Sequence, residues 1–463
     1  MMSVCYHSSQ ALLIRLFHEI STFERIFMPS LHLSLPIVLY FFSILSENHR
    51  MLSAYLYNIL AVLGVIDPVR LFMSILIQPL LGITYQQDYR DCYADIKSFY
   101  ASWFQVYGAD KIRDYVSRIT NSMMAWKLLL FQAKLLRTQA PQLFEASNGK
   151  SAVGKVLDID GHTVKSSSSQ KEGADRGFNK QAKGRPCFQL SASWIGRVFV
   201  DLKLFAGHCN PKHFFRKAVK RAKSLGLAFE IVRADAAYTT LDNLLLLTQL
   251  CLGYALGMSS SFSVVREGIR SFKQLARKKS SAIISVAKGI SLLDVGVVTL
   301  DNGLQTRVII VRRISRRKHR KTGKWKVRTY YYAITSNLEL SAVKLYHFYH
   351  QRQCIEAGFK ELINHYQFHR LPFQGLKANE FWLVCKVLAM SLFKLFQFHN
   401  LPKILHALLL KTFLRRIVRR RIRVNLSGHV EVVPNTKYTW HLRRLLANTE
   451  RIKIALNAHL ATC

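Results

Sequence analysis

The residues of this chain that could do chemistry are a few separated carboxylates and one helical Tyr-Arg-Glu set. Asp158 and Asp160 stand in KVLDIDGHT, Asp235 in EIVRADAAY, and Tyr349, Arg352 and Glu356 in YHQRQCIEAGFKE. Phosphodiester cleavage and strand transfer need two divalent ions roughly 3.5 to 4 Å apart, one activating the attacking oxygen and one stabilising the leaving oxygen. Mg²⁺ takes hard oxygen ligands, so three carboxylates gathered from distant stretches suffice, with water and phosphate completing the shell. Lys and Arg close by offset the developing charge. Asp158 and Asp160 are two apart on one strand and point to one face, so either qualifies as the first ligand. Asp160 is preferred, because Gly161 after it reads as a strand end open to solvent. The plain alternatives are strand-end capping for this pair and an ordinary salt bridge between Asp235 and Arg233. Helical spacing puts Tyr349, Arg352 and Glu356 on one face, with Lys360 a turn further on. Alone, that set reads as a solvated i,i+4 Arg–Glu pair. The two acidic strand ends upstream and the apolar helix downstream favour the catalytic reading.

These acids sit in a chain of 463 residues with 67 Lys/Arg against 27 Asp/Glu and a formal net charge of +40. Such an excess favours polyanion partners and salt-sensitive binding. Half the residues are hydrophobic, which excludes a disordered basic tail. The charge is lopsided: residues 1–150 hold 13 basic and 10 acidic residues, and the rest hold 54 and 17. Eight cysteines show no CxxC pair, which argues against a disulfide framework or structural zinc and suits a reducing interior. The nearest thing to a ligand cluster is His208, Cys209 and His213 in GHCNPKHFF, short of the four spaced ligands of a closed zinc site. Residues 28–46 lack charge and approach spanning length, but two prolines and a histidine interrupt them. We read them as a buried helix, with membrane attachment an unfavoured alternative.

The elements that must position the acids follow from the pattern. Residues 1–150 read as a mainly helical N-terminal domain, closed by a linker over 140–151. Their near-neutral charge makes them a weak candidate for recognising DNA ends. From Val153 the order is α/β: strand KVLDID, a polar stretch over 165–184, then a hairpin of CFQLSASW and RVFVDLKLF around Gly196. A helix through FFRKAVKRAKSLG is capped by Gly226, followed by strand FEIVRAD and helix TLDNLLLLTQLC. Residues 258–340 read as strands throughout: SVVREGI, AIISVA, VGVVTL, TRVIIVRRI and WKVRTYYYAIT, with a basic turn before the last. From Ser341 one helix carries Tyr349 to Glu356 and a second runs through EFWLVCKVLAMSLFKLFQF. A basic tail over 401–463 includes LRRIVRRRIRV and a short strand pair around Ser427-Gly428.

The chain resembles the DDE transposases of bacterial insertion sequences, in the branch with a Tyr-x2-Arg-x3-Glu signature. The resemblance covers about residues 153–440 and rests on DIDGHT, IVRADAAY, the run from YYYAITSNLEL to HQRQCIE, and KANEFWLVCKVLAMSLF. It implies a ribonuclease H-like mixed-sheet catalytic core, residues 151–257 and 341–400, interrupted by a β-rich insertion over 258–340. It implies that Asp160, Asp235 and Glu356, with Asp158 as the alternative first ligand, hold two Mg²⁺ ions, Mn²⁺ serving as a substitute. Tyr349 and Arg352 would contact phosphates near the cleaved end. The branch usually has a Lys seven residues after the Glu; here Ile363 stands there, and Lys360 is the nearest charge. Trp325 in the insertion hairpin is a candidate for stacking a flipped base, at about 1–3 kcal/mol per base. Arg316, Arg317 and Lys318 are candidates for phosphate contact.

The leading expectation is a transposase that binds inverted-repeat ends and target DNA, cuts one strand and joins its 3′-hydroxyl elsewhere. Pairing two ends implies at least a homodimer, working at the nucleoid in a bacterial cytoplasm. The alternatives are a nuclease of the same fold without strand transfer, and a decayed DNA-binding relic.

Overall fold

In the computed structural model, the description covers residues 67–144, 155–318 and 325–414, save positions 84, 102, 103, 167 and 178–182. It also covers parts of 37–52 and the strands at 422–424 and 430–432. The chain is mixed α/β with one large mixed sheet, and divides into two compact units. One comprises Met1–Phe131, Leu362–Phe373 and Phe381–Cys463, the other Gln132–Glu361 and Gln374–Glu380.

The first unit is helical where described, apart from one strand pair near its C-terminal end. Its helix α1 (Pro68–Leu81) starts at Asp67, whose carboxylate accepts the Arg70 N–H at 3.0 Å, with Pro68 at the first helical position. The short helices α2 (Gln86–Asp91), α3 (Tyr93–Tyr100) and α4 (Ala109–Ser117) follow, and α5 (Met123–Gln139) leads out of the unit. Of the apolar segment over 28–46, the described residues from Ile37 to Leu45 are helical and buried. The tail's expected strand pair is present as Ile422–Val424 against Val430–Val432; the basic run before it lies largely outside the described residues.

The second unit is built on a ten-stranded sheet. Strand β1 (Val156–Lys165) pairs antiparallel with β3 (Pro186–Ile195) and parallel with β5 (Ile231–Ala234); β5 pairs parallel with β6 (Gly253–Met258). Strand β4 (Val198–Ala206) and the two-residue β2 (Asp175–Arg176) lie against β3. All four residues of β5 are buried, three apolar and one, Arg233, charged, as in a strand covered on both faces. The β3–β4 hairpin turns at Gly196, φ 59°, where a Cβ would lie 2.3 Å from the Leu143 carbonyl oxygen. Helix α6 (Phe215–Ser224) buries Phe215, Ala218, Val219 and Ala222, one stripe at helical spacing. Helix α7 (Leu241–Gln249) is capped by the Thr240 hydroxyl.

Beyond β6 the sheet continues. Strand β10 (Trp325–Ser336) pairs antiparallel with β6, then β9 (Gln305–Lys318), β8 (Ile290–Thr299) and β7 (Ile283–Ala287) extend the edge as a meander. One expected strand here is a helix: SVVREGI opens α8 (Ser263–Arg277), which buries Val265, Gly268 and Phe272. Their i, i+3, i+7 spacing is helical and overrides the β-branched pair at its start.

The expected single helix through Tyr349 and Glu356 is two: α9 (Ala342–His350) and α10 (Gln353–Tyr366). At the break Arg352 N donates to the Tyr349 carbonyl at 3.1 Å, in place of the carbonyl four residues back. That carbonyl, on Phe348, receives Nη1 of Arg233 at 2.7 Å. Helix α11 (Leu376–Asn400) is long and apolar enough to cross a membrane, but 89 % of its apolar window is buried in the structure, as a core helix would be.

Candidate active site

The tips of β1, β5 and β6 bring the site together. The β1–β5 register pairs Asp158 with Arg233 and ends at Ile159 opposite Ala234. Asp160 and Asp235 are the next residues on each strand, so they flank the point where the ladder opens. Strand β1 does not end at Gly161 as expected. It runs to Lys165, because β3 keeps pairing along its other side. The opening comes from β5 stopping, not from β1 stopping.

The two aspartates of β1 have different surroundings. Asp158 is 2 % exposed and takes a bidentate ion pair from Arg233, Nε and Nη2 each at 2.8 Å. The Cys354 thiol donates to Oδ2 of Asp158 at 3.2 Å. Burial pushes that thiol pKa up, and the Asp158 charge adds to the shift. Asp158 is thus fully engaged, and Arg233 serves it and the helix break.

Asp160, 9 % exposed, accepts the Gly161 N–H at 3.0 Å, and its Oδ2 lies 3.1 Å from Nη1 of Arg352. That contact is an ion pair without hydrogen-bond geometry, so Nη1 is a buried donor with no acceptor. Arg352 Nη2 donates to Oε1 of Glu356 at 3.0 Å, the i,i+4 pair expected from spacing. Burial pushes the Asp160 carboxyl up to about 6; Arg352 draws it back, while Asp235 and Glu356 raise it further. Burial works against the Arg352 charge, but Asp160, Tyr349, Glu356 and Asp235 together hold its pKa above the ordinary range. Asp235 is half-buried and caps the turn Ala236–Tyr238 by accepting the Ala237 N–H at 2.8 Å.

Tyr349 is buried beside this set. Burial raises its phenol pKa, Arg352 opposes the shift, and Asp235 and Asp160 add to it. Lys360 is exposed, a turn beyond Glu356. Trp325, 68 % exposed, and exposed Arg316 belong to the β9–β10 hairpin. The side chains of Arg317 and Lys318 lie outside the described residues. His208 pairs with Asp175, Nδ1 to Oδ2 2.7 Å. Among the described residues, no group of three His, Cys, Asp or Glu side chains is close enough together to hold a metal ion.

Sequence reasoning missed two neighbours. Gly257 on β6 lies one residue past the Leu256–Ala234 pairing. A Cβ there would come within 2.6 Å of the Tyr349 hydroxyl and 2.7 Å of the Ala236 nitrogen, so this position must be bare. The Tyr238 hydroxyl is buried without a hydrogen-bond partner. Burial raises its pKa, then the Asp160 charge; Ser191 lies near enough to temper the shift, yet its own buried hydroxyl makes no regular hydrogen bond. The turn motif AAY after Asp235 is the only sequence signal for Tyr238.

The site thus gathers a buried Asp160, a half-buried Asp235 and a more exposed Glu356, with Arg352 bridging the first to the last, where the β1–β5 ladder opens in a basic chain. The family model for the transposase DDE domain matches residues 151–392, just over half of the chain, and the chain belongs to that family. It is a transposase by class, with the polynucleotidyl transferase or nuclease activity that this implies. No curated protein matches the sequence. Among solved structures it is similar to the cryo-EM structure of the piggyBac transposase synaptic complex with hairpin DNA. The identity is 11 %, over 82 % of this chain and 74 % of that one, with a TM-score of 0.36.

Proposed function

We propose that this transposase belongs to the insertion-sequence branch with the Tyr-Arg-Glu signature, and cuts and joins DNA strands at Asp160, Asp235 and Glu356. The observation that carries this reading is the opening of the β1–β5 ladder at Asp160 and Asp235, with Arg352 bridging Asp160 to Glu356. A ribonuclease H-like core is supported by the strand order β4-β3-β1-β5-β6, with β1, β5 and β6 parallel and the first two antiparallel.

The donor chemistry suits hard divalent cations: Asp160 and Glu356 meet one guanidinium, Asp235 adds a third negative charge close by, and burial is the main reason Asp160 resists ionisation. Asp160, Asp235 and Glu356 would hold two Mg²⁺ ions, which when bound activate the attacking oxygen and stabilise the leaving one. Arg352 is the phosphate-orienting group, because its buried Nη1 is a charged donor without an acceptor. Tyr349 would join Arg352 in contacting phosphates near the cleaved end, and Gly257 leaves room for its hydroxyl. Lys360 offers a charge to the flanking backbone. Two DNA ends engaged together call for a dimer.

The test is cleavage of labelled DNA bearing the element's own ends, with Mg²⁺ or Mn²⁺. Metal-dependent nicking at the end should vanish in Asp235→Ala and in Glu356→Ala. Nicking that survives the loss of Glu356 refutes the mechanism, and tight binding without any nicking favours the relic.

A further inference from the structure

We infer that the β9–β10 ribbon is a duplex-binding arm, and that it binds phosphates with only one of its faces, the face shared with α9. This deepens the proposed function and rests on it. Between Gln305 and Ser336 the sequence has eleven Lys/Arg and no Asp/Glu. The β9–β10 register is unbroken from Trp325–Lys318 to Ser336–Arg307, so strand parity assigns every side chain a face. Val311 and Ile334 pack with Leu345 and Tyr346 of α9, which fixes one face. Tyr332, on that face, shares a 2.8 Å hydrogen bond with Nε2 of His350, the neighbour of Tyr349. Going outward from Tyr332, the same face carries Arg313 opposite Tyr330, then Ser315 opposite Arg328, then Lys326. All three cations are exposed, and Tyr330 is 48 % exposed.

The opposite face has another character. There Tyr331 meets Phe272 of α8 at 5.7 Å between ring centroids, and Arg312 covers the Phe272 ring at 5.2 Å. Outward from that contact come Ile314 opposite Thr329, Val327 opposite Arg316, and Trp325. Three of those five are exposed and apolar, and only Arg316 is an exposed cation among the described side chains. A phosphate backbone is matched by the row of Arg313, Arg328 and Lys326, and hydroxyls from Tyr330 and Ser315 add neutral donors to the same row. From Tyr332 to Lys326 the strand spans about 20 Å. That length is about six base pairs of duplex leading away from the carboxylates.

The experiment compares the full-length protein with two variants, using a metal-free mixed-sequence duplex of about 30 base pairs over about 50 to 200 mM salt. One variant combines Arg313→Ser, Lys326→Ser and Arg328→Ser; the other combines Arg316→Ser and Trp325→Ala. All five positions are exposed, and unchanged melting temperatures verify the fold. The first variant should lower the slope of log affinity against log salt by about three, and the second should leave it unchanged. An unchanged slope in the first variant, or a fall of about one in the second, overturns the face assignment while leaving the transposase reading intact. Absence of duplex binding by the wild type refutes the proposed function itself, and this inference with it.

Discussion

Asp158 and Asp160 sit two residues apart on the same face of the same strand, and each meets an arginine, yet they do opposite work. Asp158 has a bidentate partner, a thiol donor and burial on all sides. Asp160 has a single lopsided ion pair, two like-charged neighbours and a carboxyl held up to about 6. A charge whose needs are met inside the protein is structure. One whose needs are unmet is poised for something from outside.

The sharpest way to break the comparison is to remove each carboxylate in turn. Asp160→Ala should abolish end cleavage with little loss of stability, read by nicking assay and urea melting on one preparation. Asp158→Ala should instead lose about 3–5 kcal/mol of stability, because Arg233 is left buried and uncompensated. Adding Arg233→Met should recover part of that loss, and only part, since the Phe348 carbonyl then loses the shorter of its two donors and keeps the Gln351 N–H at 3.2 Å. Equal stability of wild type and Asp158→Ala in urea would show that the pair contributes nothing.

Gly257→Ala tests the floor of the open side. The added methyl meets the Ala236 nitrogen and the Tyr349 hydroxyl, so about 1–3 kcal/mol should be lost, with a drop in cleavage. Calorimetry and the nicking assay read the two effects separately. The smallest expected effect is a pH slope. Asp160 binds its proton more tightly folded, near 6, than unfolded, near 3.8, so its contribution to stability falls as pH rises between those values. Asp160→Asn should flatten that part of the stability curve.

Much of this was legible in the sequence. Asp235 at the end of β5, the i,i+4 Arg–Glu pair and the Gly196 hairpin follow from local rules, and the structure has all three, whereas Asp160 lies within β1 and not at its end. What was not legible depends on register between distant strands. Arg233 looks like a partner for Asp235 because it is two residues away; the parallel ladder hands it to Asp158, 75 positions back. The break between α9 and α10 is not visible locally, and the Phe348 carbonyl beside it accepts from that same distant arginine. The SVVREGI segment misleads because seven residues are too few to reveal a helical period that Phe272 makes plain. Trp325 and the basic hairpin residues looked like one patch until pairing sorted them onto two faces.

The sheet is continuous, and that has a mechanical consequence. The hydrogen bonds that join β10 to β6 run from Ala333 with Met258 to Ser336 with Ala255, alongside Gly257. The arm and the catalytic strand tips are therefore cut from one plate, with no hinge between them. If the ribbon holds DNA as inferred, a pull far out on it would reach β6, beside Tyr349 and Asp235, through this ladder, and the ribbon would act as a lever on the proposed site.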